Sequence, residues 1–301
     1  MTPGHQSAAS PGASRVVAVM TAFHPGESLV GVVDAVLAQV SEVVVVDNTP
    51  VDGRGASDVL GVRPGVRILG NGSNVGLATA LNEGIEAAGD SEFVFLVDQD
   101  SEIPEGMVGS LLGLLDADSR RAIACPAPWD AVEGRYLDPR TPRRPEIAEM
   151  AVVITSAMLL RRAAYRQTAG LRDDFFVDGV DQDLCLQLRA AGWVIVQDRR
   201  LLFPHSLGET RWHRFGPLRI RATHHPTWRL YWAARNSTIL SRDHWRSEPR
   251  WSLVNALILG YWMLTVLLFE PPRRRRAGTM LHGIADGVRG RRDDRFLPGS
   301  P

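Results

Sequence analysis

Phe93-Val94-Phe95-Leu96-Val97-Asp98-Gln99-Asp100 is the stretch that decides the fold. Five apolar residues in an unbroken run read as a strand covered on both faces, as in a parallel sheet. The run stops at two carboxylates two residues apart. Side chains alternate across an extended chain, so Asp98 and Asp100 project to one side. In open α/β sheets ligands sit outside the carboxyl ends of the strands, where this pair falls. Two such carboxylates suit a hard divalent cation, Mg²⁺ or Mn²⁺, that keeps water and substrate phosphates as further ligands. A solvated turn or a helix cap is the alternative reading.

Upstream, residues 16–20 form a β-branched run, 27–40 carry helical apolar spacing, and 43–46 form a second buried run ending in Asp47-Asn48. This is a β-α-β unit. A weaker strand at 66–69 precedes a loop at 70–75 and a helix at 76–88. The loop Gly70-Asn71-Gly72-Ser73-Asn74-Val75-Gly76 spaces its glycines as G-x-G-x-x-x-G, which departs from the G-x-G-x-x-G dinucleotide fingerprint. It is either a plain turn or a loop whose amides meet phosphate or hydroxyl oxygens at a helix start. Downstream come a helix at 104–115, a strand at 122–125, a charged proline-rich loop at 126–145 and a return to the sheet at 151–154. An amphipathic helix at 179–191 is closed by Gly192, and strands follow at 193–196 and 201–203.

A second acidic cluster, Asp178-Gly179-Val180-Asp181-Gln182-Asp183, opens that helix. Carboxylates in a first turn commonly serve the helix dipole, but one of them can look back toward the sheet edge and act as a general base. Phe175-Phe176 just before it are either core or a dry wall that raises a carboxylate's proton affinity.

The 301 residues carry 34 basic and 34 acidic side chains, so the net charge of zero leaves no footprint for nucleic acid. Every basic residue is arginine, with no lysine at all. A P-loop, a Schiff-base enzyme and a Tyr-x-x-x-Lys dehydrogenase each need one. With the glycine spacing, that absence argues against an NAD-dependent oxidoreductase. Cys125 and Cys185 are too few for a disulfide framework. Residues 1–14, rich in Ser, Gly, Ala and Pro, read as a disordered tail and not a signal peptide, which places the catalytic part in the cytoplasm.

Residues 251–269 pass without a charge, and Arg273 to Arg276 follow two prolines. As a helix this stretch reaches roughly 28 Å, about the hydrocarbon thickness of a bilayer. Arginine-rich segments on both sides disfavour a span. A helix lying in the interface with its arginines on anionic headgroups fits better, and a buried core helix is the other reading.

Six segments in order resemble family-2 glycosyltransferases of GT-A fold, and more narrowly their bacterial rhamnosyltransferase branch. They are Val-Met-Thr-Ala-Phe-His-Pro from Val19, Val-Val-Asp-Asn from Val45, and Asn-Val-Gly-Leu-Ala-Thr-Ala-Leu-Asn-Glu-Gly-Ile from Asn74. Val-Asp-Gln-Asp-Ser from Val97, Phe-Phe-Val-Asp-Gly-Val-Asp-Gln-Asp-Leu-Cys-Leu-Gln-Leu-Arg from Phe175 and Tyr-Trp-Ala-Ala-Arg-Asn from Tyr231 complete the series.

The resemblance implies an α/β chain with a mixed GT-A sheet flanked by helices over residues 15–240. The nucleotide-binding half would run to about 125 and the acceptor half from about 126, with a C-terminal helical membrane-association region at 241–301. Thr21, Ala22 and Phe23, with Asp47 and Asn48, match positions that receive the pyrimidine base. Asn74, Gly76, Leu77 and Asn82 match the loop and helix that complete the nucleotide pocket. Asp98 and Gln99 would meet the donor, and Asp98, Asp100 and His205 would ligate the metal. Arg235 would reach the diphosphate or the acceptor. Asp181 matches the family's base, with Val180 where many members carry glutamate and Asp183 as the competing choice.

The implied activity is metal-dependent, inverting transfer of a sugar, L-rhamnose from dTDP-L-rhamnose, onto a hydroxyl of a glycan or lipid-linked acceptor. Cell-wall or surface-polysaccharide assembly at the cytoplasmic membrane face is the implied setting, and a second copy of the chain is an open partner. A UDP-sugar enzyme of the same fold, such as a galactofuranosyltransferase, and a non-catalytic membrane-associated scaffold are the competing readings.

Overall fold

A computed structural model describes residues 15–205, 211–215, 218–222 and 224–298; the tail expected at 1–14 lies outside them. In chain order, β1 (Val16–Ala22), α1 (Ser28–Leu37), β2 (Glu42–Asp47), α2 (Ala56–Leu60), β3 (Val66–Gly70), α3 (Leu77–Ala87) and β4 (Phe93–Asp98) form the first half. Next come α4 (Met107–Asp116), β5 (Arg121–Asp130), β6 (Arg135–Tyr136), β7 (Ile147–Glu149), β8 (Met158–Arg161), α5 (Arg162–Tyr165), α6 (Val180–Ala190) and β9 (Val194–Pro204). The hairpin β10 (Arg211–Phe215) and β11 (Leu218–Ala222) leads to three C-terminal helices, α7 (Thr227–Asp243), α8 (Pro249–Phe269) and α9 (Arg273–Arg289).

The main sheet runs β3-β2-β1-β4-β8-β5-β9-β7, with β6 on β5. β3, β2, β1 and β4 are parallel, β8 runs antiparallel between β4 and β5, and β9 is parallel to β5. The chain steps from β1 outward to β2 and β3, then crosses back to β4 on the other side of β1. That reversal is the switch point at which an α/β sheet opens a crevice. Register puts Ala22 beside Asp47, Asp47 beside Gly70 and Thr21 beside Asp98. The carboxyl ends of four strands are thereby level. The β-branched run Val43–Val46 and the run Phe93–Val97 are buried on both faces, each large side chain contributing on the order of 2 kcal/mol.

Three expectations are corrected. Residues 151–154 form no strand; pairing begins only at Met158, where the chain enters the gap between β4 and β5. The loop expected from residue 126 is strand through Asp130, because β5 continues along β9 after a bulge between Pro126 and Ala127. Irregular pairing of this kind is where a strand accommodates proline. Third, β6 and β7 lie within or just past the same stretch.

α9 lies directly on α7. A Cβ on Gly283 would stand 2.4 Å from the Tyr231 carbonyl oxygen and one on Gly287 2.6 Å from that of Arg235. Only glycine lets the two backbones meet so closely. The Tyr231 hydroxyl donates to Asp286 at 2.9 Å, and Arg242 donates to the Gly287 carbonyl at 3.0 Å. Because α9 returns onto α7, both ends of α8 belong to one body. Arg189 of α6 pairs with Glu248 ahead of α8, and Arg276 of α9 pairs with Glu270 behind it.

Candidate active site

A cavity of about 1050 Å³ lies at the carboxyl edge of the sheet and extends beneath α7 and α8. Asp98 from β4, Ser156 from the segment before β8, Asp181 from α6 and His205 just past β9 all border it. Both junctions that deliver these groups carry left-handed non-glycine backbone: Ala157 at φ 60° beside Ser156, and Asp178 at φ 61° just before α6. Such residues cost about 1 kcal/mol or more and persist where surroundings hold them. Asn236 of α7 does so at Asp178, its Nδ2 donating to the carbonyls of Val177 and Asp178 at 2.9 and 2.8 Å.

The Ser156 hydroxyl donates to Asp98 Oδ2. Burial raises the proton affinity of Asp98; the Ser156 hydrogen bond and His205 oppose the rise, while Asp100 adds to it. Among the described residues no arginine pairs with Asp98 or Asp100. Asp181 is pushed up to about 6 by burial, reinforced by the carboxylates of Asp178 and Asp98 against the opposing Gln182 N–H. Asp178 is neutralised by Arg229, whose guanidinium holds it at 2.7, 2.9 and 3.2 Å. The hydrogen bond to Asp178 in turn raises the Arg229 pKa.

Asp100 is exposed and borders a smaller hollow against α1 with Ser28 and Ile103. Its charge is nevertheless felt at Asp98. Gln99 clamps the two strand ends together: its Oε1 accepts from the Phe23 N–H at 2.8 Å and its Nε2 donates to the Phe23 carbonyl at 3.2 Å. Among the described residues, the trio of His, Cys, Asp or Glu groups whose ligand atoms converge within 4.8 Å is His282, Asp286 and Asp293. There His282 Nε2 stands 3.3 Å from a carboxylate oxygen of each aspartate. Asp98, Asp100 and His205 stand further apart. Two carboxylates and an imidazole, one carboxylate half-buried without a counter-cation, still form a donor set that fits Mg²⁺ or Mn²⁺ completed by phosphate oxygens and water.

Of the expected donor residues, Leu77 and Asp98 border the cavity. Thr21, Ala22, Phe23 and Asn48 stand at the same sheet edge outside its lining. Asn48 Nδ2 donates to the Gly76 carbonyl at 3.2 Å, and the Gly76 N–H donates to Asn74 Oδ1 at 3.1 Å. Gly76, at φ 91°, leaves no room for a Cβ, which would meet Phe176 at 2.9 Å.

Three residues are taken up by internal bonds. Both Asp47 oxygens accept backbone N–H groups, from Thr49 at 2.9 Å and Ala56 at 2.5 Å, and so start α2. Asn82 bonds Leu171, Asp173 and Tyr165 and fastens α3 to the loop behind it. Arg235 is 1% exposed and spends its donors on Asp174, Asn236 and the Arg291 carbonyl. It therefore does not reach the cavity.

Two cavity residues escaped the sequence reading. Ser156 follows an apolar stretch as an ordinary polar residue, and only the fold sets it against Asp98. Arg229 had a readable signal, since Arg229, Ala233 and Ser237 recur at intervals of four and line the cavity from one face of α7.

A half-buried carboxylate at a strand end and a second carboxylate of raised proton affinity thus share one cavity at the carboxyl edge of the sheet. The model for glycosyl transferase family 2 matches residues 17–170, and the chain belongs to that family. It is thus a glycosyltransferase. The N-acetylglucosaminyl-diphospho-decaprenol L-rhamnosyltransferase of Mycobacterium tuberculosis (strain H37Rv) is 27% identical over 277 residues, covering 78% of this chain and 86% of the relative. Its counterpart in strain CDC 1551 / Oshkosh matches equally.

Among solved structures, GalNAc-T7 with UDP, GalNAc and Mn²⁺ superposes with a TM-score of 0.58 at 12% identity. The match covers 79% of this chain and 49% of that one, so the chain spans about half its length. The mannosyltransferase PcManGT from Pyrobaculum calidifontis, in complex with GDP-Man and Mn²⁺, superposes with a TM-score of 0.53 at 15% identity, covering 94% of this chain and 89% of that one. At these identities the likeness establishes the fold alone.

Proposed function

We propose that this chain transfers L-rhamnose from dTDP-L-rhamnose, with inversion, to a hydroxyl of a sugar carried on a polyprenyl diphosphate at the cytoplasmic face of the membrane. The observation that carries the reading is the shared cavity, with Asp98, Ser156 and His205 at one wall and Asp181 at another. The 27% identity to a rhamnosyltransferase named for a diphospho-decaprenol acceptor supports the sugar and the acceptor class.

Asp98, Asp100 and His205 would hold Mg²⁺ or Mn²⁺, which as a Lewis acid offsets the negative charge growing on the departing diphosphate. Asp181 takes the proton of the acceptor hydroxyl as its oxygen bonds the anomeric carbon, while the bond from that carbon to the nucleoside diphosphate breaks on the opposite face. A carboxylate near 6 is largely ionised at neutral pH and yet basic enough to accept that proton. Ser156 holds Asp98 in place, and Gln99 holds the loop after β1 beside it.

Residues 15–240 would form the transferase domain and residues 241–301 the membrane-associating part. α8 is long and apolar enough to cross a bilayer by length and composition. Lying in the interface is the favoured mode, because a span would separate α9 from α7, on which it packs.

A thermal-shift panel of dTDP, UDP, GDP and NAD, each with and without Mn²⁺, tests the donor. A metal-dependent dTDP response is expected. A preference for UDP would move the donor to a uridine sugar, and stabilisation by NAD alone would overturn the reading.

A further inference from the structure

A second group of ligating side chains lies outside the cavity, where α9 meets α7. His282 and Asp286 are four residues apart on α9 and share one face of it, and Asp293 follows in the segment that leaves the helix. One nitrogen or oxygen of each lies within 4.8 Å of the others, and none of the three borders the cavity.

The spacing is that of a coordination shell. His282 Nε2 is 3.3 Å from Asp286 Oδ2 and 3.3 Å from Asp293 Oδ2. Ligands held about 2 Å from an ion at the tetrahedral angle stand roughly 3.3 Å apart. Neither contact has the alignment of a hydrogen bond, so the ring nitrogen is not committed to either carboxylate. Both carboxylates are largely covered, their side chains 14% and 16% exposed. Two such groups this close repel unless a cation lies between them. Arg295 serves Asp293, at 2.6 Å from Oδ2 and 3.0 Å from Oδ1, so Oδ1 keeps a partner if Oδ2 turns to a metal. Among the described residues no arginine pairs with Asp286, whose Oδ2 accepts from the Tyr231 hydroxyl at 2.9 Å.

Aromatic neighbours fix the imidazole. Tyr231 stacks on Phe296 at 4.3 Å, and the His282 ring meets them edge-on at 5.8 and 5.4 Å. Metal-binding imidazoles and carboxylates in proteins are oriented by an outer layer of this kind.

We propose that His282, Asp286 and Asp293 bind a zinc ion, completed by water, that fastens the segment after α9 to the α7–α9 pair. One imidazole and two carboxylates suit Zn²⁺ better than Mg²⁺, which demands oxygen ligands in octahedral array. The fastened segment touches the residues that support the base. Trp232 Nε1 donates to the Phe296 carbonyl at 2.7 Å and Arg235 Nε to that of Arg291 at 2.5 Å. Arg235 also grips Asp174, ahead of the turn that carries Asp178 and Asp181. The zinc therefore braces that turn from the far end of the chain and takes no part in the chemistry.

The test uses the full chain, stripped with chelator and dialysed against Zn²⁺ in excess Mg²⁺, which keeps the cavity carboxylates occupied. Elemental analysis should find about one zinc per wild-type chain and almost none in His282→Gln. Zn²⁺ at roughly 100 times its dissociation constant should raise the wild-type melting midpoint by roughly 5 °C and leave that of His282→Gln unmoved. Asp293→Asn, altered outside α9, should repeat both losses, and it decides the matter if His282→Gln does not fold. Equal zinc content or an equal melting response in wild type and variants overturns the site, as does a wild type that takes up no zinc.

Discussion

Asp181 and Asp183 lie two residues apart in α6 and face opposite ways. Asp181 borders the cavity, whereas the Asp183 carboxylate is inside the protein, accepting from Gln187 Nε2 at 2.6 Å and facing His244 Nε2 at 3.3 Å. A helix turns about 100° per residue, so roughly 200° separates them. The same spacing that made both candidates for the base therefore assigns them different environments, and two variants can tell them apart.

Asp181→Asn is expected to lower transfer by at least ~10²-fold while dTDP still binds. In the wild-type enzyme the base works only when ionised. The rate should therefore rise tenfold per pH unit to about 6 and level above it. A pH–rate profile of kcat/KM checks this, and a flat profile through that region excludes Asp181 as the base.

The same carboxyl makes a stability prediction of definite sign. Its folded pKa is raised from 3.8 to about 6, so the folded state binds the proton more tightly than the unfolded chain. Stability from this group is complete below 3.8 and is lost as pH rises toward 6. Asp181→Asn, which never ionises, should gain on the order of 2 kcal/mol over wild type at neutral pH and little in acid. Urea unfolding at the two pH values measures the difference.

Asp183→Ala should behave in the opposite manner. Removing a carboxylate 2% exposed leaves one of the two Gln187 amide N–H groups without its acceptor, the Gly170 carbonyl still taking the other, a loss of about 1–3 kcal/mol, and the folded fraction should keep its specific activity. A drop in kcat with unchanged thermal stability would return Asp183 to the catalytic role.

Chelation should stop transfer and Mn²⁺ or Mg²⁺ should restore it. Asp100→Asn should raise the Mn²⁺ concentration for half-maximal rate by about tenfold or more. Activity indifferent to chelator would remove the metal from the mechanism.

Arg235→Met should destabilise the chain by on the order of 2 kcal/mol, because the carbonyls of Asp174 and Arg291 lose a donor and the Asp174 carboxylate keeps only Arg172. At a temperature where the variant is folded, KM for the donor should match wild type. A selective rise in that KM would place Arg235 on the diphosphate after all.

The residues whose placement was legible are those whose position follows from local order. The run from Phe93 to Val97 is apolar throughout, so burial on both faces and a ligand-facing end at Asp98 follow from composition and strand geometry alone. Asp181 was legible as one member of a first-turn cluster, and Leu77 as part of a loop-to-helix junction. Asp47, Asn82 and Arg235 misled for a common reason. A polar side chain bonds to whatever tertiary neighbour is nearest, and Ala56, Leu171 and Asp174 become neighbours only after the chain has folded.

By itself the sequence determined a parallel α/β core, the acidic strand end at Asp98, the acidic helix start at Asp178–Asp183 and an uncharged helix followed by arginines. These are properties of short windows, set by hydrophobic period and residue type. Only the tertiary structure decided that Ser156 would hold Asp98, that Asp181 and not Asp183 would face the cavity, and that Arg229 would line it while Arg235 was buried. It also decided that α8, brought back by α9 packed on α7, would form the cavity's far wall. Burial and hydrogen-bond partners depend on contacts between segments far apart in the chain, and no local pattern specifies which segments will meet.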